Sequence, residues 1–332
     1  MRVVKGIFIK SWLNDLLKVV WKVSMRQLKF KSQKKKQMVT DFLLIVPFLL
    51  LILVFSYYPL YGWVYAFFDY KPPFPLSWDK FVGFKWFVSM VENPVKFKKL
   101  VQVLTNTFAM SGLSLLFSWF PMIFAVFLNE IQSVPFKKFV QTVTTLPNFI
   151  SWVLVYAIAY SVFNSTGAIN SILMRMGVTE EPIMFLQSTK HIWFKQWLWL
   201  TWKNAGWAAI MYIAAITSID DSLMEAAMID GASRMQRIWH ITIPSILPTY
   251  FVLVMMSLAN FLSNGMEQYF VFANSFNKAK IEVLDLYVYN LAMGSGGYSL
   301  STAISILKTF VSIILLWLTN VVSKKLRGET LI

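Results

Sequence analysis

The residues best equipped for chemistry in this chain are gathered in one polar segment, which reads Asp220 Asp221 Ser222 Leu223 Met224 Glu225 Ala226 Ala227 Met228 Ile229 Asp230 Gly231 Ala232 Ser233 Arg234 Met235 Gln236 Arg237 Ile238 Trp239 His240 Ile241 Thr242 Ile243 Pro244. Its acids and bases do not make a catalytic set. His191 and His240 are the only histidines, and neither has a second ligand at helical spacing, which argues against a metal or acid–base centre. With no cysteine there is no thiol nucleophile, thiolate metal site or disulfide. No glycine-rich loop ending in Lys and Ser or Thr is present, so the chain does not bind ATP by that route. The order of residues is that of two short helices. Asp220, Asp221 or Ser222 caps the first, Gly231 supplies the positive φ that ends it, and Pro244 stands where a new helix begins. Two amphipathic helices bent at a glycine make a compact knob suited to docking into another protein.

A second group of chemically able residues lies inside apolar sequence: Asn106, Asn148, Lys203, Asn204, Asn260, Asn264, Glu267 and Gln268. A polar group left unsatisfied in hydrocarbon is costly, so such residues face a cavity or another helix. On one helix Asn260, Asn264, Glu267 and Gln268 share a face at i, i+4, i+7 and i+8, and Lys203 and Trp207 share another at i and i+4. These two faces are expected to line a passage, with helix-to-helix hydrogen bonding as the competing role. Trp152, Trp202, Trp207 and Tyr269 stand out among the aromatics because polar groups are close in sequence, and aromatic faces suit the C–H faces of sugar rings.

Stepping out to the elements that must carry these groups, 332 residues at 57% hydrophobic and 14% charged exceed the apolar content of a soluble domain. The fold class expected is all-α and polytopic. Six stretches are apolar and long enough to cross about 30 Å of hydrocarbon: 41–68, 103–129, 139–163, 197–219, 245–265 and 301–322. Lys203 weakens the fourth, and Lys308 in the sixth must snorkel or face a wet interior. Eleven of the 31 basic residues precede Asp41, and the basic excess over the segments on that side predicts both termini in the cytoplasm. The domain plan is then a basic segment 1–40, a membrane domain 41–323 with the polar loop 220–244, and a tail 324–332. Ile9, Trp12, Leu13, Leu16, Leu17 and Val20 follow the spacing of one helix face, which predicts an interfacial helix continued by a basic run that attracts anionic membrane lipids. That location accounts for the net charge of +15 without a nucleic-acid partner.

Glu225, Ala226, Ala227, Gly231, Ile241 and Pro244 match in residue and spacing the EAA motif, and the chain thereby resembles permease subunits of bacterial ABC importers. Tyr57 to Gly62, Leu146 to Trp152, Trp202 to Trp207, Glu267–Gln268 and Asp285 to Tyr289 are similar to the carbohydrate branch, the aldouronate-type and alginate-type permeases, over nearly the whole chain. The resemblance implies a type I permease fold of six transmembrane helices in the bacterial cytoplasmic membrane. It implies a coupling loop built on Glu225, Ala226, Ala227, Asp230, Gly231, Ile241 and Pro244. It also implies a second homologous permease, two ATP-binding subunits that hold ATP and magnesium, an extracytoplasmic sugar-binding protein and an oligosaccharide substrate. The chain itself would then be a transport subunit rather than an enzyme, with no cofactor or metal of its own. The substrate path would draw on Asn148, Trp152, Lys203, Asn204, Trp207, Asn260, Asn264, Glu267, Gln268 and Tyr269. A permease for another solute class, or an ion-coupled secondary transporter, is the alternative; the latter needs intramembrane carboxylates, and no span interior offers a clear one.

Overall fold

The computed structural model describes residues 33–327, so the expected interfacial helix, carried by Ile9 to Val20, and the end of the tail 324–332 lie outside the described residues. Two units divide the chain after Trp86. In the first, α1 (Gln33–Ile52) runs on through a π turn, Leu53–Tyr57, into a 3₁₀ stretch, Tyr58–Phe67. Pro59 at its start has no amide to donate, which favours the change of helix type there. The whole of Met38–Phe67 is apolar enough to cross a membrane, and most of its side chains are exposed, as suits a segment whose solvent is hydrocarbon. Beyond it the chain doubles back through an antiparallel bridge between Phe68 and Phe81, with the Asp69 amide donating to the Lys80 carbonyl at 2.8 Å and the Trp86 indole to the Phe68 carbonyl at 3.0 Å.

The second unit is helical among its described residues: α2 (Lys85–Glu92, which begins as the first unit ends), α3 (Pro94–Leu116), α4 (Phe120–Asn129), α5 (Val134–Thr145), α6 (Trp152–Phe163), α7 (Ala168–Arg175), α8 (Ile192–Thr217), α9 (Asp221–Ile229), α10 (Arg234–Arg237), α11 (Ile243–Ala259), α12 (Glu267–Phe272), α13 (Lys278–Ile281), α14 (Leu284–Tyr289) and α15 (Tyr298–Arg327). The central element is α8, which packs against α3, α4, α5, α11 and α13. Gly206 lets it approach α5 so closely that a Cβ there would lie 2.2 Å from the Thr144 carbonyl oxygen. Two buried apolar clusters flank it. One joins Met110, Val155, Trp197, Tyr269 and Leu286. The other joins Met122, Val126, Ala209, Tyr212, Ile238 and Ile246.

Among the described residues five stretches are long and apolar enough to cross a membrane: Met38–Phe67, Pro94–Asn129, Trp152–Arg175, Arg234–Ala259 and Tyr298–Lys325. The fourth of the six expected from sequence falls on α8, whose 26 residues would reach about 39 Å at 1.5 Å each. It has the length, but Lys195, Gln196, Lys203 and Asn204 dilute its apolar content. The expected third span, 139–163, is not one helix. α5 gives way at Pro147 to a 3₁₀ turn, Leu146–Phe149, and α6 starts only after Ser151, whose hydroxyl accepts the Leu154 amide.

Candidate functional site

The polar loop folds as its residues predict. The Asp220 carboxylate accepts the Ser222 amide at 2.9 Å and caps α9, and bonding to Ser222 holds that carboxyl below the usual carboxylate range. Gly231 takes φ +77°, the left-handed conformation that turns the chain out of α9. Its amide donates to the Met228 carbonyl and that of Ala232 to the Ala227 carbonyl. Ser233 and Gln236 then form a reciprocal capping box at the start of α10. A π turn, Ile238–Thr242, leads into α11 with Pro244 in its first turn.

The knob is anchored to the rest of the unit in two ways. The Arg234 guanidinium pairs with the Glu130 carboxylate and also donates to the Glu130 carbonyl, just after α4. Ile238 is buried with Val126, Ala209 and Ile246. The opposite rim is open: Ile229 is 86% exposed, and Leu223, Met228, Met235 and Trp239 are more than half exposed. Glu225, Ala226, Asp230, Gly231 and Pro244 are exposed as well, while Ala227 and Ile241 are half-buried beside a small cavity. So much apolar surface is unusual on an exposed polar loop.

The polar groups within the helices are more dispersed than helical spacing predicts. Asn260, Asn264, Glu267 and Gln268 do not share one helix. α11 ends at Ala259, the chain turns through 260–266, and α12 begins at Glu267, so the expected common face is broken. The Asn264 side chain donates to Ser111 Oγ at 2.8 Å, tying the turn to α3. Gln268 is buried and donates to the Gln196 carbonyl and side chain at 2.8 and 2.9 Å. Asn106, also buried, donates to the Ala279 and Glu282 carbonyls at 3.0 Å each. Tyr269 sits in the core.

Lys203, only 7% exposed, donates to the Pro147 and Asn148 carbonyls at 3.1 and 2.6 Å, and its ammonium lies 5.6 Å from the centre of the Trp152 ring. The lysine thus satisfies carbonyls freed by the break between α5 and α6. Trp207 is 51% exposed and stands edge-on to Phe149, with ring centres 5.6 Å apart. Glu267, at the start of α12, is exposed.

Asn204 of α8 and Asn260, just past the end of α11, lie on one cavity. It is open, of about 500 Å³, among α3, α4, α8 and α11. Its walls add Ser114, Ser118, Thr201 and Ser257, the aromatics Phe117, Phe120, Trp197 and Tyr212, and aliphatic side chains, with no charged residue. Ser118 shares a 2.9 Å hydrogen bond with the Tyr250 hydroxyl. Sequence reasoning missed the serines and the threonine because a single hydroxyl in an apolar helix commonly bonds its own backbone, as Ser257 does to the Leu253 carbonyl at 2.9 Å. Asn204 and Asn260 were the available signal.

Two further acids follow the knob in sequence, Glu282 at the end of α13 and Asp285 in α14. Glu282, 2% exposed, is 2.6 Å from the Lys99 ammonium and accepts the Asn290 amide at 2.8 Å. Asp285 pairs with Lys308, so the lysine of the last span neither snorkels nor stands alone.

Residues 136–328, which take in α8, the knob and α11, match the family described as "Binding-protein-dependent transport system inner membrane component". The chain is 37% identical to Protein LplB of Bacillus subtilis (strain 168) over 87% of its own length and 90% of that protein. It is 35% identical to the polygalacturonan/rhamnogalacturonan transport system permease protein YteP of the same strain, over 90% of its length and 94% of the relative. Among solved structures it is similar to a chain of a bacterial alginate ABC transporter in complex with alginate pentasaccharide-bound periplasmic protein, with TM-score 0.78 and 30% identity over 90% of this chain and 98% of that one. A helical unit with a capped and exposed knob, agreeing with these proteins over nearly its full length, belongs to the binding-protein-dependent transport inner membrane components, the permease subunits of ABC importers.

Proposed function

We propose that this permease forms one half of the pathway by which an oligosaccharide enters the cell, paired with a second, homologous permease. The observation that carries this reading is the cavity of about 500 Å³ at Asn204 and Asn260. Amide and hydroxyl groups there match sugar hydroxyls, and Phe117, Trp197 and Tyr212 present flat apolar surfaces to ring C–H groups. A charge-free wall holds a sugar by many weak contacts and releases it readily, as a path must. The names of YteP and of the alginate transporter support a fragment of a plant or algal polysaccharide as the class of cargo.

In this reading both termini and the knob 220–244 face the cytoplasm, where two ATP-binding subunits dock on the exposed rim from Leu223 to Trp239. A sugar-binding protein delivers cargo at the other face. ATP and magnesium belong to the docked subunits. Their closure favours one arrangement of the spans over the other by moving the knobs, which satisfies the requirement that a ligand shift a conformational equilibrium only through its different affinity for the two states. The test is uptake of labelled oligosaccharides by proteoliposomes holding the complete importer. ATP-dependent accumulation of one class, lost in Asn204→Leu and Asn260→Leu with the ATPase subunits still bound, is the expected outcome. Accumulation driven by an ion gradient without ATP would refute it.

A further inference from the structure

Within the knob, Ala227, Ala232, Gln236, Arg237, His240 and Ile241 line an open cavity of about 210 Å³. Its surface is mostly apolar, contributed by Ala227, Ala232 and Ile241 together with the carbon atoms of Gln236, Arg237 and His240. One feature breaks that character: the Arg237 Nε is buried and has no hydrogen-bond partner among the described residues. Arg234, one turn earlier, shows how a guanidinium is satisfied here, through Glu130. Among the described residues no acid does the same for Arg237. Glu225 and Asp230, the knob's nearest acids in sequence, are exposed and do not line the cavity. His240 is not its partner either: its Nδ1 donates to the Gln236 carbonyl at 2.9 Å, and its Nε2 makes no hydrogen bond to the Arg237 Nε.

A buried cationic N–H without an acceptor is costly, and evolution removes it or supplies a partner from outside. We infer that the cavity is a socket for one acidic side chain of the docked ATPase subunit, whose carboxylate accepts from the Arg237 Nε while its methylenes fill the space between Ala227, Ala232 and Ile241. A carboxylate on a short aliphatic stem fits both halves of the site. A free, hydrated anion matches the arginine but not the apolar walls. The inference rests on the proposed docking of the knob and deepens it, because it names the contact that sets which ATPase subunit is accepted. Around it the exposed Met228, Ile229, Met235 and Trp239 exclude water, the arrangement in which a charge pair contributes most to an interface.

The experiment uses the complete importer, expressed with its own ATPase subunits and purified in detergent. Arg237→Gln is expected to lower the ATPase subunit recovered with the permease by roughly 10-fold or more, Arg237→Lys by less, and Ala232→Trp to lower it by filling the socket. Second-site changes that restore transport to Arg237→Glu are expected in the ATPase subunit, as Asp or Glu replaced by Lys or Arg; this reading needs no assumption about how well any one variant folds. Unchanged recovery in Arg237→Gln, or restoring changes confined to this chain, would overturn the socket. So would wild-type recovery that rises on adding inorganic phosphate at constant ionic strength, which would mark a free-anion site. Glu225→Lys separates the two claims. If it loses the ATPase subunit while Arg237→Gln keeps it, only the socket fails; if neither variant loses it, docking of the knob fails as well.

Discussion

Lys308, well inside α15, pairs with Asp285 of α14, and the other oxygen of that carboxylate accepts the Gly265 amide at 2.9 Å. Three elements meet there: the last span, the short α14, and the turn that follows α11. α11 begins at the knob and leads into a turn held by this pair. Side chains that would be costly singly in the membrane become a structural joint when they meet.

Asp285→Asn should therefore lower the thermal stability of the detergent-purified protein by about 1–3 kcal/mol, since the lysine is left in a partly buried place without its counter-charge. The double variant Asp285→Asn/Lys308→Met should recover much of that loss relative to Asp285→Asn and Lys308→Met alone, because no charge remains unpaired. Unfolding curves of the single and double variants, followed by tryptophan fluorescence, decide it. A double variant as unstable as the sum of the singles would show that the pair contributes nothing as a pair.

Gly206→Ala places a carbon 2.2 Å from the Thr144 carbonyl oxygen, a backbone atom that cannot swing aside. α5 and α8 must separate, at a cost of about 2–3 kcal/mol. Gly112→Ala meets nothing within 4 Å and serves as the control. The expected result is a lower thermal midpoint and poor membrane accumulation for the first only.

Gly231 has open space around the position of a Cβ but a φ of +77°. Substitution there acts through backbone conformation alone. Gly231→Val should distort the knob and abolish uptake while the protein still accumulates in the membrane. Gly231→Asn, which tolerates the left-handed region, should retain a measurable fraction of uptake. Equal transport by both variants would show that the turn is not needed for coupling.

Asn204→Leu should reduce initial uptake by roughly 10-fold, the effect of about 1.4 kcal/mol, with the ATPase subunits still bound. Trp207→Ala should change it less, since Trp207 packs on Phe149 and does not line the cavity. The reverse ranking in an uptake assay would move the path to the Trp207 face.

The knob was legible in the sequence because everything that shapes it is local. Asp220, Gly231, Ser233 and Gln236 each act on backbone groups within five residues, and the apolar stretches announced themselves by length. The intramembrane polar groups were legible as unusual, but not as to their partners. Periodicity put Asn260, Asn264, Glu267 and Gln268 on one face by assuming an unbroken helix, and the chain turns between Ala259 and Glu267. Lys203 caps a helix break more than fifty residues away in sequence, Asn264 finds Ser111 across the unit, and Asp285 claims Lys308. In hydrocarbon a polar group takes whichever partner the packing of helices brings within reach, and that packing is a property of the assembled fold rather than of any stretch of sequence.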